Sequence, residues 1–326
     1  MKNILIIGGG GMVGQKLAAQ LAAGALPDVG TVTLFDQAFP TMSAPGEQVM
    51  GNLTDQRAIE ALAARRFDFV YHLAAIVSGE AETDFDKGWA VNMSAVWTLL
   101  EALRAQHLQS DGAYVPRVVF TSSIAAFGAP FPAQIGDEFF CAPQTSYGAQ
   151  KVIGELMVSD FARKGFIDGL SLRLPTICVR PGAANKAASS FFSGIIREPL
   201  NGQEAILPVG EDVRHWHASP RSAAGFLVHA AGLDTALLNG RRTLNLPGVS
   251  CTVGEQIEAL RALAGADVVK LIRPQADPMI EKIVGGWPRD FDPKRAVALG
   301  FKADHSFEDI IRVYLEDDFP GRAPAP

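Results

Sequence analysis

The sequence predicts an α/β protein with a doubly wound parallel sheet and a smaller, partly interleaved second lobe. Apolar strands and helical stretches alternate up to about residue 175, which is typical of strands joined by crossover helices. Four consecutive glycines, Gly8 to Gly11, separate the first strand from the first helix, and the carboxylate of Asp36 ends the second strand. The length of 326 residues suits one large α/β unit or two lobes.

Six short apolar stretches are predicted as strands of the sheet. They cover residues 4–7, 31–35, 48–50, 69–73, 117–120 and 170–174. Helices are predicted at residues 15–23, 84–106, 147–157, 189–197, 218–231, 253–264 and 307–316, and Thr252 with Glu255 forms a capping box before residue 253. We therefore assign residues 1–175 to the first lobe, with a returning segment at about 217–247, and residues 176–216 and 248–326 to the second lobe.

The glycine run predicts a dinucleotide-binding turn. Two registers fit it, Gly9-x-Gly11-x-x-Gly14 and Gly8-x-x-Gly11-x-x-Gly14. In either register the missing side chains let the backbone approach a pyrophosphate, which binds the amides at the helix N-terminus. Asp36 follows Gly14 by 22 residues (36 − 14), where a carboxylate hydrogen-bonds the adenosine ribose and repels a 2′-phosphate. The pattern favours NAD over NADP, and the alternative interpretation of Asp36 is a turn residue after a strand.

Further cofactor contacts are expected along the same edge of the sheet. Small residues at the end of the fourth strand would let a cofactor lie close to the backbone, and residues after the third strand are placed to cover the adenine. The predicted contacts are Gly8, Gly11, Met12, Val13, Gly14, Asp36, Asn52, Leu53, Leu73, Ala74, Ala75, Asn92, Tyr147, Lys151 and Pro175.

Tyr147 and Lys151 stand four residues apart, which places them on one face of a helix. A free phenol titrates near ~10 and is a poor base at neutral pH, whereas a fixed ammonium beside it favours the phenolate. Such a pair can take a proton from an alcohol or return one to a carbonyl. The alternative is two ordinary residues on an amphipathic helix. The fifth strand delivers Ser122 and Ser123 at its carboxyl end, which faces the ligand crevice of a parallel sheet.

Composition excludes several classes of function. The formal net charge is −6 and no Lys/Arg cluster stands out, which argues against nucleic acid and anionic membrane as partners. The N-terminal apolar stretch is too short for a signal peptide, and no apolar run reaches membrane-spanning length. Three cysteines without a C-x-x-C pair indicate reduced thiols and a cytoplasmic protein. We expect no metal, because His215-x-His217 lacks further ligands beside it.

Taken together, these motifs resemble the short-chain dehydrogenase/reductase superfamily in its extended branch. The matching elements are the glycine turn, Asp36, His72-Leu73-Ala74-Ala75, Asn92, Ser122-Ser123, Tyr147-x-x-x-Lys151 and Arg173-x-Pro175. The resemblance implies that Tyr147 transfers the proton, that Lys151 holds the nicotinamide ribose and lowers the Tyr147 pKa, and that Ser123 orients the reacting oxygen. It also implies that Asn92 lies near the cofactor and that a homodimer forms through the two long helices of the first lobe.

The second lobe narrows the expected substrate. Residues 180–192 and 214–220 resemble extended members that oxidise a four-carbon sugar acid at C2 with NAD. Arg214 is the leading candidate for the substrate carboxylate, since a guanidinium fork matches a carboxylate bidentately. The predicted substrate contacts are Ser78, Ser123, Tyr147, Thr176, Asn185, Lys186 and Arg214.

Two alternatives remain open from the sequence. One is a nucleotide-sugar epimerase or dehydratase of the same branch, in which Arg214 would bind phosphate. The other is a catalytically silent NAD-sensing protein, against which an intact Tyr147 and Lys151 argue.

Overall fold

The computed structural model describes residues 1–182 and 188–319. The strands are β1 (Lys2–Ile7), β2 (Val29–Asp36), β3 (Glu47–Met50), β4 (Phe69–His72), β5 (Arg117–Ser123), β6 (Ile135–Gly136), β7 (Asp168–Leu174), β8 (Thr176–Ile177), β9 (Ala205–Leu207), β10 (Arg214–Ala218), β11 (Thr243–Asn245), β12 (Val249–Thr252), β13 (Ile272–Pro274) and β14 (Phe291–Asp292).

The helices are α1 (Met12–Ala22), α2 (Gln56–Ala63), α3 (Ser78–Thr83), α4 (Phe85–Trp89), α5 (Ala95–Gln109), α6 (Ser146–Arg163), α7 (Ser190–Leu200), α8 (Pro220–Gly232), α9 (Val253–Ala264), α10 (Ala266–Val269), α11 (Pro278–Gly285), α12 (Lys294–Ala298) and α13 (Phe307–Asp317). None of the helices in the described ranges is both long and apolar enough to cross a bilayer.

The central sheet confirms the predicted fold class. Among the described residues it has seven parallel strands in the order β11-β7-β5-β4-β1-β2-β3. The direction of winding reverses between β1 and β4, and a parallel sheet binds its ligand outside the carboxyl ends of the strands at this point. The glycine turn after β1 and the loop after β4 therefore face each other across the crevice.

Helices cover both faces of the sheet, which is why residues 4–7 of β1 are apolar without interruption. Helices α1 and α8 pack on one face around Leu17 and Phe226, both buried. Helices α2, α5 and α6 pack on the other face around Leu99 and Phe161. Burial on both faces holds the strand ends, and thus the site residues, in fixed positions.

A separate apolar core forms around α7, α9 and α13, outside the central sheet. The predicted capping box is present at α9, where Thr252 accepts from the Glu255 N–H and Glu255 accepts from the Thr252 N–H. The division into lobes stays a prediction, and the packing of two residues differs from it. Ala296 and Phe301, assigned above to the second lobe, are buried in the core that contains α8.

The predicted helix at 84–106 is interrupted. Helices α4 and α5 are joined by a π-helical turn at Ala90–Ser94, which contains Asn92. Such wider turns often occur where a side chain has a functional role. The apolar periodicity continues through the turn, so the sequence pattern reads as one helix.

Candidate active site

Two adjoining cavities lie at the carboxyl edge of the sheet. We call the first the cofactor groove; the sequence-predicted contacts that line it are Gly8, Gly11, Asp36, Leu53, Leu73, Ala74 and Ala75. We call the second the catalytic cavity; the predicted residues that line it are Leu73, Ala75, Ser78, Ser123, Tyr147, Lys151, Pro175 and Thr176. Leu73, Ala75 and Val77 belong to both, so the loop after β4 connects the two spaces.

The glycine turn is built by close backbone approaches. Gly8 has φ +90°, and a Cβ there would lie 2.6 Å from the Ala74 nitrogen. A Cβ on Gly14 would lie 2.3 Å from the Gly8 carbonyl oxygen. Gly11 is the N-cap of α1 and offers no side-chain cap, which leaves the first amides of α1 to a ligand. The two possible registers of the glycine motif share Gly11 and Gly14 and differ in their first glycine, Gly8 or Gly9. Of these two, Gly8 lines the groove.

Asp36 closes one end of the cofactor groove. Its carboxylate accepts hydrogen bonds from the backbone N–H groups of Gly10 (2.9 Å) and Gln37 (2.7 Å). These bonds fix the carboxylate at the tip of β2 beside the glycine turn. The glycine cradle and this carboxylate together fit the pyrophosphate and adenosine ribose of NAD, and a 2′-phosphate at the same place would be repelled.

Not every predicted cofactor residue lines the groove. Met12 and Val13 begin α1 and pack against the apolar core beneath that helix. The side chain of Asn52 accepts hydrogen bonds from the N–H and the hydroxyl of Thr54. Asn92 is buried and lines neither cavity. That it lies near the cofactor stays a prediction, because Ile76, to which it is bonded, lines the cofactor groove. The Asn92 side-chain amide bonds the backbone of Ile76 at 2.8 and 3.1 Å and the side chain of Gln150 at 2.8 Å. Asn92 therefore braces the loop that joins the cavities and does not contact them.

Ser123, Tyr147 and Lys151 converge on the catalytic cavity. Helix α6 carries the Tyr and the Lys, and the Thr145 hydroxyl caps it by accepting from the Gly148 N–H at 3.1 Å. A Cβ on Gly148 would lie 2.2 Å from the Ala125 carbonyl oxygen. The glycine thus lets α6 approach the turn that follows Ser123, which brings the two hydroxyl groups to one place.

Lys151 is buried, with only 2% of its surface exposed. Its Nζ donates to the Thr121 carbonyl at 2.9 Å and lies 5.6 Å from the centre of the Tyr147 ring. Burial lowers the Lys151 pKa to about 8, and the negative charge of Glu155 acts in the opposite direction. The Lys151 amino group is therefore only partly protonated just above neutral pH.

The pKa of Tyr147 lies above its ordinary value, because burial disfavours the phenolate. The charge of Arg180 and the hydroxyl of Ser123 lower this pKa, by less than burial raises it. The expectation that Lys151 also lowers the Tyr147 pKa stays a prediction. The Lys151 amino group donates to the Thr121 carbonyl and lies 5.6 Å from the centre of the Tyr147 ring.

Arg214 was the wrong choice for the substrate cation. It opens β10, donates to the Ser250 carbonyl at 3.1 Å and pairs with Glu255 at 3.2 Å. Side chains alternate along a strand, so Arg214 points away from the catalytic cavity while its neighbour His215 lines it. The other two predicted contacts of this lobe, Asn185 and Lys186, lie outside the described residues.

His215 and Thr176 form a fixed pair in the cavity wall that the sequence did not reveal. Nδ1 of His215 lies 3.0 Å from the Pro288 carbonyl oxygen and must donate to it, so Nε2 accepts from the Thr176 hydroxyl at 2.7 Å. Burial lowers the His215 pKa to about 4, which keeps the ring neutral. The Thr176 oxygen is left as an acceptor, and it lines the cavity.

His217, in contrast, lies in the core. Its Nε2 bonds the Gln256 amide at 3.0 Å, and its ring packs against Phe192 and Phe307. Within residues 1–182 and 188–319, no group of three or more His, Cys, Asp or Glu side chains is placed to hold a metal.

A buried ion pair supports the floor of the cavity. The Arg173 guanidinium binds Glu155 through two bonds, Nε to Oε1 at 2.9 Å and Nη2 to Oε2 at 2.7 Å. The Ser122 hydroxyl donates to the same carboxylate. The arrangement ties β5, α6 and β7 together directly beneath Ser123.

The chain belongs to the NAD dependent epimerase/dehydratase family, whose model matches residues 4–228. It is 44% identical to the D-erythronate dehydrogenase of Cupriavidus necator over 97% of this chain and 98% of that protein. Its identity to the D-erythronate dehydrogenase of Haemophilus influenzae is 39%, over 97% of this chain and 99% of that one. A crystal structure described as a nucleoside-diphosphate-sugar epimerase from Agrobacterium tumefaciens superposes with TM-score 0.94 at 52% identity, covering 99% and 96% of the two chains.

These relationships define an NAD-dependent oxidoreductase of the extended short-chain dehydrogenase/reductase type. The family assignment agrees with the motifs of the first lobe and with the parallel sheet. The names of the relatives point to two different substrates, a sugar acid and a nucleotide sugar.

Proposed function

We propose that the chain oxidises D-erythronate at C2 to 2-keto-D-erythronate and reduces one NAD. The observation that carries the proposal is the meeting of Ser123, Tyr147 and Lys151 in a cavity that adjoins the cofactor groove. Two relatives named D-erythronate dehydrogenase, aligned over nearly the whole chain, support it.

The roles follow from the positions of the side chains. Gly8, Gly11 and Asp36 would hold the adenosine diphosphate half of NAD, and Lys151 the nicotinamide ribose. When bound, the cofactor accepts the hydrogen and two electrons that leave C2. Ser123 hydrogen-bonds the C2 hydroxyl, and Tyr147 takes its proton as the carbonyl forms.

The dimensions and lining of the catalytic cavity favour a small acid. Its volume is about 280 Å³ between the described residues, and typical ligand pockets measure roughly 300–1,000 Å³. No Asp or Glu is among the described residues that line it, so a carboxylate meets no like charge. The Thr176 oxygen, held as an acceptor by His215, suits a hydroxyl of a polyhydroxylated chain.

A nucleotide-sugar epimerase is the second candidate, because the Agrobacterium tumefaciens structure carries that description. Its substrate would need room for a nucleoside diphosphate and at least two cations for the phosphates. The chemistry also differs, since an epimerase returns the hydrogen to its substrate and leaves NAD oxidised.

The test is an assay of the purified protein with NAD against C4–C6 sugar acids and UDP-sugars. Accumulation of NADH with D-erythronate and not with UDP-sugars is the expected result. Epimerised UDP-sugar without net NADH, together with inert D-erythronate, would establish the second candidate. NAD binding without turnover of any compound would revive the NAD-sensing alternative. Tyr147→Phe serves as the matched control, since it keeps the cofactor groove intact.

We further propose a homodimer that forms through α5 and α6. Both helices present large apolar side chains to solvent, with Trp97 48% and Leu156 65% exposed. The face of Trp97 continues into α6 through an edge-on contact with Phe161 at 5.7 Å. A cytoplasmic location is also proposed, and the three free thiols support it.

A further inference from the structure

Among the described residues that line the catalytic cavity, the Arg180 guanidinium forms no ion pair with a carboxylate. Arg180 and Lys151 are the arginine and the lysine among the described residues that line the cavity. Lys151 is occupied by the Thr121 carbonyl at the buried end. Arg180 follows β8, lines the same cavity as Ser123 and Tyr147, and begins the stretch 180–192 in which the sequence resembles enzymes that oxidise a sugar acid.

Three other arginines of low exposure are neutralised by carboxylates within the chain, whereas the Arg295 guanidinium binds three backbone carbonyls. Arg173 pairs with Glu155, Arg197 with Glu198, and Arg117 with Asp168. No carboxylate of the described residues pairs with Arg180, and residues 183–187 contain no Asp or Glu in their sequence. Burial without an anion lowers the Arg180 pKa, in contrast to the raised pKa of Arg173. A partly buried guanidinium left unpaired costs free energy, which an anionic ligand would recover.

The backbone and stem of Arg180 are fixed before any ligand arrives. Its Nε donates to the Ile177 carbonyl at 2.9 Å, its N–H donates to the Ser193 hydroxyl at 3.0 Å, and its carbonyl accepts from Arg197 at 2.7 Å. A guanidinium held in this way loses little entropy on pairing with a carboxylate.

The position of Arg180 beside Tyr147 sets the geometry of a ligand that contacts both. Both side chains line the same cavity, and the charge of Arg180 lowers the Tyr147 pKa. In a 2-hydroxy acid the carboxylate and the reacting hydroxyl are on adjacent carbons. The diphosphate of a nucleotide sugar, by comparison, is separated from the ring hydroxyls by several bonds.

We infer that Arg180 binds the C1 carboxylate of the substrate and thereby selects 2-hydroxy acids over neutral polyols. The inference rests on the proposed oxidation of a sugar acid. Arg180 would fix C1, while Ser123 and Tyr147 engage the hydroxyl on C2. The same cation would discriminate against substrates that carry their charge elsewhere.

The test compares D-erythronate with erythritol, which has the same carbon skeleton without the carboxylate. Arg180→Gln should lower the ratio of kcat/KM for D-erythronate to kcat/KM for erythritol by about 30-fold or more, as expected for one partner of a desolvated charge pair. A change in the Tyr147 pKa acts on both substrates and leaves this ratio unchanged. Arg180→Lys should recover part of the loss. Arg214→Gln, a matched arginine that points away from the cavity, should keep the preference for the acid within about two-fold. A damaged fold would lower kcat/KM for both substrates together. It would also lower Tm and weaken the binding of NAD.

A second measurement does not depend on turnover. In the Tyr147→Phe background saturated with NAD, calorimetric titration with D-erythronate should give a Kd at least about 30-fold weaker when Arg180→Gln is added. An acid preference retained in Arg180→Gln, or lost in Arg214→Gln, would overturn the inference while the proposed function stands. Failure of the wild-type protein to oxidise or bind any sugar acid would overturn both.

Discussion

Removing the charge of Glu155 should destabilise the protein strongly, because this carboxylate neutralises Arg173 beneath the catalytic cavity. The two side chains are only 5% and 12% exposed, and they share two short hydrogen bonds. Breaking a buried pair by removing one partner typically costs about 3–5 kcal/mol, since the remaining charge stays buried. We therefore expect Glu155→Gln to lower the free energy of unfolding by about 3–5 kcal/mol in urea denaturation without cofactor.

Two variants make this prediction specific. Glu258→Gln removes a carboxylate from an exposed pair with Arg261 and should cost at most about 1 kcal/mol. The double change Glu155→Met with Arg173→Met removes both charges and should recover part of the stability lost by Glu155→Gln. If Glu155→Gln cost no more than Glu258→Gln, the claim that this pair supports the cavity floor would be refuted.

The same substitution should reach the active site through Lys151. Glu155 raises the pKa of Lys151, so its removal should bring that pKa below about 8. At neutral pH a smaller fraction of Lys151 would then be protonated. Because Lys151 is proposed to hold the nicotinamide ribose, KM for NAD should increase as pH rises through the neutral range. A pH profile of KM identical to that of the wild type would contradict this coupling.

Three further predictions concern the cofactor, the proton and the assembly. Asp36→Ala should narrow the preference for NAD over NADP in kcat/KM; a wild-type protein that prefers NADP would refute the role of Asp36. Tyr147 must be unprotonated to accept the substrate proton and its pKa is raised, so kcat/KM for oxidation should increase with pH beyond neutrality; Arg180→Gln, which removes a lowering charge, should move the profile to higher pH. Trp97→Glu should produce monomers in light scattering whereas Met279→Glu, at another exposed apolar side chain, should not; an unchanged mass for Trp97→Glu would exclude this interface.

The sequence predicted those features that depend on local pattern. The glycine turn, Asp36 and the Tyr147–Lys151 spacing each lie within one strand–turn–helix unit, where steric and helical periodicity decide the positions. The central sheet followed from alternation of strand and helix.

Features that depend on how distant segments meet were missed or wrong. Arg214 was chosen as the substrate cation without knowledge of β10, which the predicted elements did not include. Successive side chains of that strand point to opposite sides, so His215 lines the cavity and Arg214 does not. Arg180 went unrecognised because its distinguishing property is the lack of a carboxylate partner, which only the packed structure reveals. The hydrogen bonds of the Asn92 side chain to Ile76 and Gln150 could not be predicted either, because they join three distant segments.

The central claim is that the chain breaks the C2–H bond of a free sugar acid next to its carboxylate. The most direct measurement uses D-erythronate deuterated at C2, with NAD and the purified wild-type protein. The account predicts one deuterium in the reduced cofactor for each 2-keto acid formed. Deuterium retained in the acid, with label exchange or epimerisation occurring only in UDP-sugars, would contradict it.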